Sequence, residues 1–198
     1  MSTSNQETVG RELNGTQYWC FREGALRDRL AGASAITIAA WIRVGDVPEH
    51  ASVVEMPIDE GGRTGLVLGL TSGRKPEFSA RSRPDEALQT VTSDGPITVE
   101  KWVHVLAEVD FAANVLGLFV EGLGAHSPTS VSFGHGRFDA TFERDTDACH
   151  SMIANGMQAN TPWTGGLAGL AFFRHLLSAS DKSALAAGGD PMNAAGGP

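Results

Sequence analysis

Cysteine is scarce, basic runs are missing and no long apolar stretch occurs. Cys20 and Cys149 are the only two cysteines in 198 residues. Two cannot build a disulfide framework or a four-ligand zinc site. Both fall in strand-like stretches and are expected as two small buried apolar residues. One bridge between an early and a late strand is the alternative. Lysine and arginine number 15 against 23 acidic residues, for a net charge of −8. No segment gathers the basic side chains that phosphate-driven nucleic-acid binding requires. Nothing approaches the roughly 20 apolar residues of a membrane-spanning helix. The polar opening Met1-Ser-Thr-Ser-Asn-Gln-Glu-Thr8 lacks the basic and apolar regions of a secretory signal. Synthesis in a cytoplasm without a signal peptide is the expectation. Exposure outside would then come through an assembled particle or after loss of a leader.

Catalytic patterns are also missing. No Ser-His-Asp arrangement or phosphate-binding glycine loop stands out. Cys149 and His150 are adjacent, so in a strand they face opposite ways, which argues against a dyad.

What the chain does contain is β-strand patterning punctuated by 24 glycines. After the turn Asp94-Gly95-Pro96, residues 102–111 alternate cleanly. Val103, Val105, Ala107, Val109 and Phe111 face one way, and Trp102, His104, Leu106, Glu108 and Asp110 the other. That is the signature of a half-buried strand. The following strand, Val115 to Gly122, lies close enough to form a hairpin through Phe111-Ala-Ala-Asn114. Further strands are expected at 17–21, 35–44, 52–56, 64–70, 77–81, 149–154 and 165–173. Residues 126–129 are expected as a turn. Ser178 suits the N-cap of a short helix over 179–187, stopped by Gly188-Gly189. About ten short strands with one short C-terminal helix make an all-β, antiparallel two-sheet sandwich. Residues 1–12 are expected as an N-terminal arm, 13–189 as the domain and 190–198 as a C-terminal tail.

Four segments carry a family resemblance. They are Leu13-Asn-Gly-Thr-Gln-Tyr18, Ile36-Thr-Ile-Ala-Ala-Trp-Ile42, the hairpin Lys101-Trp-Val-His104 to Asp110 with Leu118-Phe-Val-Glu-Gly122, and Trp163-Thr-Gly-Gly to Phe173 with Leu177-Ser-Ala-Ser180. In that order they resemble the laminin-G-like and pentraxin-like branch of the concanavalin A-like jelly rolls. The resemblance implies a two-sheet jelly roll over about residues 13–189. It leaves function open, because one fold hosts many functions. The acidic pair usual in the closing strand is replaced by Ala168 and Gly169, so no metal or ligand role is carried across.

Glycan hydrolysis needs two facing carboxylates. The nearest pattern is Glu55-Met-Pro-Ile-Asp59-Glu60, where the spacing is wrong and Pro57 interrupts the strand. The chain is therefore expected not to be an enzyme. Asp139, Asp145 and Asp147 share one loop region and are the candidate calcium and ligand-binding residues, joined by Asn160 for ligand binding. A solvated acidic loop is the competing reading, since calcium takes roughly 6–8 oxygen ligands. No other cofactor is expected. Trp19, Trp41, Trp102 and Trp163 are expected in core or sheet packing, and His104 as a structural residue. The functional expectation is a virion component, a bacteriophage decoration or tail-associated protein. It would form a homo-oligomer and dock through its terminal arms on itself or on capsid or tail proteins. The alternative is a glycan-binding or adhesion module using the loops 134–147 and 156–162. A glycan hydrolase comes third.

Overall fold

A computed structural model describes residues 11–20, 25–45, 50–59, 62–121, 123–140, 151–156 and 161–191. The elements in order are β1 (Arg11–Asn14), β2 (Trp19–Cys20), α1 (Ala25–Leu30), β3 (Ala35–Val44), β4 (Ala51–Pro57) and β5 (Thr64–Leu70). They continue with β6 (Pro76–Ala80), β7 (Gln89–Thr92), β8 (Trp102–Asp110), β9 (Val115–Val120) and β10 (Gly124–Ser130). The last are β11 (Met152–Ile153), β12 (Thr164–Phe173) and α2 (Ala179–Ala186). Two six-stranded antiparallel sheets result, ordered β1-β12-β3-β8-β9-β10 and β2-β11-β4-β5-β6-β7. This is the jelly-roll sandwich that the alternation predicts.

The inner faces interlock in one core. Ile36, Ile38, Ile42, Val105, Ala107, Val109, Leu116 and Leu118 come from the first sheet, and Val54, Met56, Leu66, Leu68 and Phe78 from the second. Fully burying each such side chain is worth about 1.5–3 kcal/mol. Residues 131–140 do not form a free rim loop. Phe138 is fully buried and stacks on Phe111 at 6.0 Å, while Phe133 meets Phe111 edge-on at 4.9 Å.

Several boundaries differ from expectation. Arg11 and Glu12, placed in the arm by their polarity, begin β1 and pair with Leu167 and Gly166. Residues 126–129 are not a turn but part of β10, whose pairing to β9 shifts register between His126 and Thr129. The strand expected at 52–56 spans 51–57, with Pro57 as its last residue after a similar shift. The strand β7 lies just after the polar stretch 83–88 and pairs with β6. Cys20 is disulfide-bonded, not a lone buried thiol, and no free cysteine occurs among the described residues.

The strand β8 is not half-buried. Leu106, His104 and Glu108 on its outer side are all buried, Leu106 and Glu108 against α2 and His104 beside Trp41. A second small core gathers Ala39, Leu106, Phe173, Leu177 and Leu185. The helix is set by its ends. Ser178 Oγ accepts from the Asp181 N–H at 3.2 Å. Beyond the other end, Gly188 has φ +83°, Gly188 N–H donates to Leu185 at 3.0 Å and Gly189 N–H to Ala184 at 2.8 Å. That pair of bonds is a Schellman closure, which favours glycine at the left-handed position.

Candidate functional site

The outer face of the first sheet is divided. At one end α2 is docked by charge as well as by leucines. Lys182 Nζ donates to the buried Glu108 carboxylate at 2.6 Å and lies 4.6 Å from the Phe119 ring centroid. Next to this contact, Trp41 and His104 meet as tilted rings at 5.3 Å. Burial lowers the His104 pKa below its ordinary value, and the Glu121 charge opposes that shift in part. This end of the face belongs to the fold's own helix.

The outer face of the second sheet is polar but self-satisfied. Glu55, Val67, Ser79 and Thr90 form one transverse row across β4 to β7. Thr64 donates to Glu55, Thr92 donates to Glu77 at 3.1 Å, and Ser79 and Thr90 share a hydrogen bond of 2.8 Å. Ser52 and Thr161 likewise bond at 2.8 Å. The polar groups of this face are already committed to one another.

A cleft at the edge of the sandwich differs. It lies where β1 turns into β2 and holds about 220 Å³, lined by Arg11, Thr16, Gln17, Tyr18 and Trp19. Local sequence builds it. Asn14 Oδ1 accepts from the backbone N–H of Thr16 at 3.1 Å and from its hydroxyl at 2.7 Å, and Gly15 turns the chain at φ +83°. This asparagine turn presents the next three side chains. The Arg11 guanidinium lies 5.0 Å from the Trp19 ring centroid, while Trp19 packs against the core. Such cation–π stacking holds the charge in place without neutralising it. Arg11 makes no ion pair among the described residues. Tyr18 is 50% exposed, the most exposed large hydrophobic side chain described. The cleft combines an open aromatic ring, a fixed cation, an amide and a hydroxyl. No carboxylate lines it among the described residues.

Of the residues expected to bind calcium or ligand, only Asp139 is among those described. Its N–H donates to the Ser82 carbonyl at 2.9 Å, and its carboxylate lies 3.8 Å from His135 Nδ1. Asp145, Asp147 and Asn160 lie outside the described residues, as do most of the two tails. No group of three or more His, Cys, Asp or Glu suited to a metal ion occurs among the described residues. Glu55 and Asp59 are held by local contacts, Glu55 by Thr64 and Asp59 by the backbone N–H of Arg63 at 3.0 Å. Trp163 is core, Trp19 and Trp41 are half-buried, and Trp102 lies on the sheet yet is 40% exposed. No described helix is long and apolar enough to cross a membrane. The cleft residues went unnoticed in sequence because residues 1–12 read as an arm and 17–21 as a strand. The usable signal was the chain's single tyrosine two residues after an Asn-Gly-Thr turn.

Known proteins share this architecture. The CBM40 domain of a Ruminococcus gnavus IT-sialidase, bound to α2,3-sialyllactose, is 15% identical with a TM-score of 0.67, over 89% of this chain and 95% of that one. A heptameric SAP-like pentraxin from Limulus polyphemus is 13% identical with a TM-score of 0.61, over 88% and 80%. A leech intramolecular trans-sialidase is 13% identical with a TM-score of 0.65, over 87% of this chain but 26% of the enzyme. At these identities the likeness is one of fold. No curated protein matches the chain. A family model for the concanavalin A-like lectin/glucanases matches residues 13–181. The chain belongs to the concanavalin A-like lectin/glucanases superfamily.

Proposed function

We propose that this chain is a non-catalytic glycan-binding module whose site is the cleft at Arg11, Tyr18 and Trp19, and whose ligand is a sugar bearing a carboxylate. The observation that carries the reading is the Arg11 guanidinium fixed over Trp19 beside the exposed Tyr18 ring, with no ion pair to it among the described residues. An aromatic ring offers its face to the apolar side of a pyranose, and a guanidinium binds a carboxylate through paired N–H donors. The cleft is smaller than a typical drug-sized pocket of about 300–1,000 Å³ and suits one sugar ring. Glycoside hydrolysis needs a carboxylate pair, and none lines the cleft among the described residues. The sialyllactose-bound CBM40 neighbour supports the same class of ligand. The virion role expected from sequence has no support among these relatives, and the glycan-binding alternative replaces it as the main reading. An extracellular or surface location fits both the ligand and the disulfide at Cys20, since such bonds persist in oxidising surroundings.

Titration calorimetry with 3′-sialyllactose, digalacturonate and lactose tests it. At least one acidic sugar should bind better than lactose, and Arg11→Ala should weaken that binding by about tenfold or more. Tyr18→Ala should do likewise. Acidic-sugar binding that survives both substitutions, or no binding at all, sinks the proposal.

A further inference from the structure

Beyond the cleft, the uncovered end of the first sheet presents a second arrangement. Glu12, Gly166, Arg43 and Trp102 stand in one transverse row across β1, β12, β3 and β8. They lie on the outer face, away from the residues that α2 covers. The Trp102 ring does not stand up from the sheet. A Cβ at Gly166 would stand 2.5 Å from its Cη2 and 2.6 Å from its Cζ2, so the indole lies directly on the glycine backbone. Arg43 is held between the carboxylates of Glu12 and Glu100, and the Glu12 bond raises its pKa above the ordinary value. Glu100 is itself positioned by a left-handed backbone, φ +63°, and by its N–H donating to Val44 at 2.8 Å. The result is a flat, exposed indole bordered by two half-open carboxylates and one neutralised cation.

We infer that this row is a second saccharide subsite, selective for a neutral pyranose. It rests on the same glycan-binding reading of the chain. The exposed indole face takes the apolar face of the sugar ring. The carboxylate oxygens of Glu12 and Glu100 not used by Arg43 accept from vicinal hydroxyls, and charged acceptors make the stronger bonds. An anionic sugar is disfavoured, because the two carboxylates outweigh the one guanidinium between them. The two subsites flank one edge strand. Consecutive residues of β1 serve them, Arg11 toward the cleft and Glu12 toward the indole. A glycan with one acidic and one neutral sugar could engage both.

The test uses the full chain, labelled with ¹⁵N, and follows the indole N–H of Trp102, assigned by its loss in Trp102→Phe. Lactose, cellotetraose, maltotetraose and mannotriose serve as neutral probes, and 3′-sialyllactose and trigalacturonate as acidic ones. At least one neutral probe should move the Trp102 signal. Trp102→Ala should weaken its binding by about tenfold or more. Gly166→Ala keeps the indole but lifts it from the sheet, and should weaken binding several-fold with little change in melting temperature. Arg11→Ala should leave this binding intact. If no neutral probe moves the signal, or if Arg11→Ala abolishes the shift, the subsite does not exist as described. Acidic binding at the cleft with a silent Trp102 overturns this inference alone. A responsive Trp102 with an inert cleft overturns the cleft reading alone.

Discussion

Single residues in this chain carry distinct costs. Trp163 is fully buried, yet its indole N–H has no hydrogen-bond partner among the described residues. An unpaired buried donor costs about 1–3 kcal/mol, which offsets part of what the ring contributes. Trp163→Phe should therefore lose clearly less stability than Trp163→Ala, which is expected to cost about 3–5 kcal/mol. Urea denaturation of the two variants checks this, and equal losses would mean that the N–H is paired. His104, 5% exposed, is held neutral by burial. Because its folded pKa lies below the unfolded value, the unfolded chain takes up the proton first. Its contribution is complete above the unfolded pKa of about 6.5 and is lost as pH falls through the folded value. The melting temperature should fall between about pH 7 and pH 5, and His104→Gln should flatten that slope. An unchanged slope would show that other groups carry the dependence.

At the level of elements, α2 is the piece that tertiary contacts decide. Its eight residues bury only Leu185, too little for an isolated helix to persist. The capping bonds at Ser178 and Gly188 define its ends, and the Lys182–Glu108 pair fixes its place on β8. Lys182→Met leaves the buried Glu108 carboxylate, among the described residues, with only a 3.4 Å approach of the Thr37 hydroxyl, whose hydrogen goes to the His175 carbonyl at 2.7 Å, and should cost about 1–3 kcal/mol. Adding Glu108→Gln should restore part of the loss, as a double-mutant cycle by thermal melting would read. Additive losses would mean that the pair is not coupled. The strand β12 shows a local device of another kind. Its pairing with β3 shifts register between Ala168 and Ala171, where Gly169 adopts φ +57°. A bulge of this kind re-aims the strand, which the sequence had read as unbroken over 165–173.

For the whole molecule, two sheets closed over one core leave the site at the periphery. The disulfide at Cys20 lies in β2, an edge strand of only two residues. Removing it should cost about 2–4 kcal/mol and lower the melting temperature under reducing conditions. Melts with and without dithiothreitol decide this, and coincident curves would show that the bond holds nothing. By itself the sequence determined the class of fold. Alternation with period two is a local property, so β3, β5, β8, β9 and most of β12 were legible, as was α2 from Ser178 and the two glycines after it. Of the edge strands, β2 fell within the expected 17–21, but β1, β7 and β10 were not legible. The short β1 and β7 bury one side chain each and therefore show weak patterns, and the register shift in β10 interrupts its alternation. Only the tertiary structure decided which faces remain open. Leu106 and Glu108 read as an exposed side until α2, some seventy residues later, folds over them. Arg11, Tyr18 and Trp19 read as a tail and a strand, and Glu12, Arg43, Trp102 and Gly166 as scattered residues. Pairing across strands brings distant residues within contact, and no local pattern encodes that proximity.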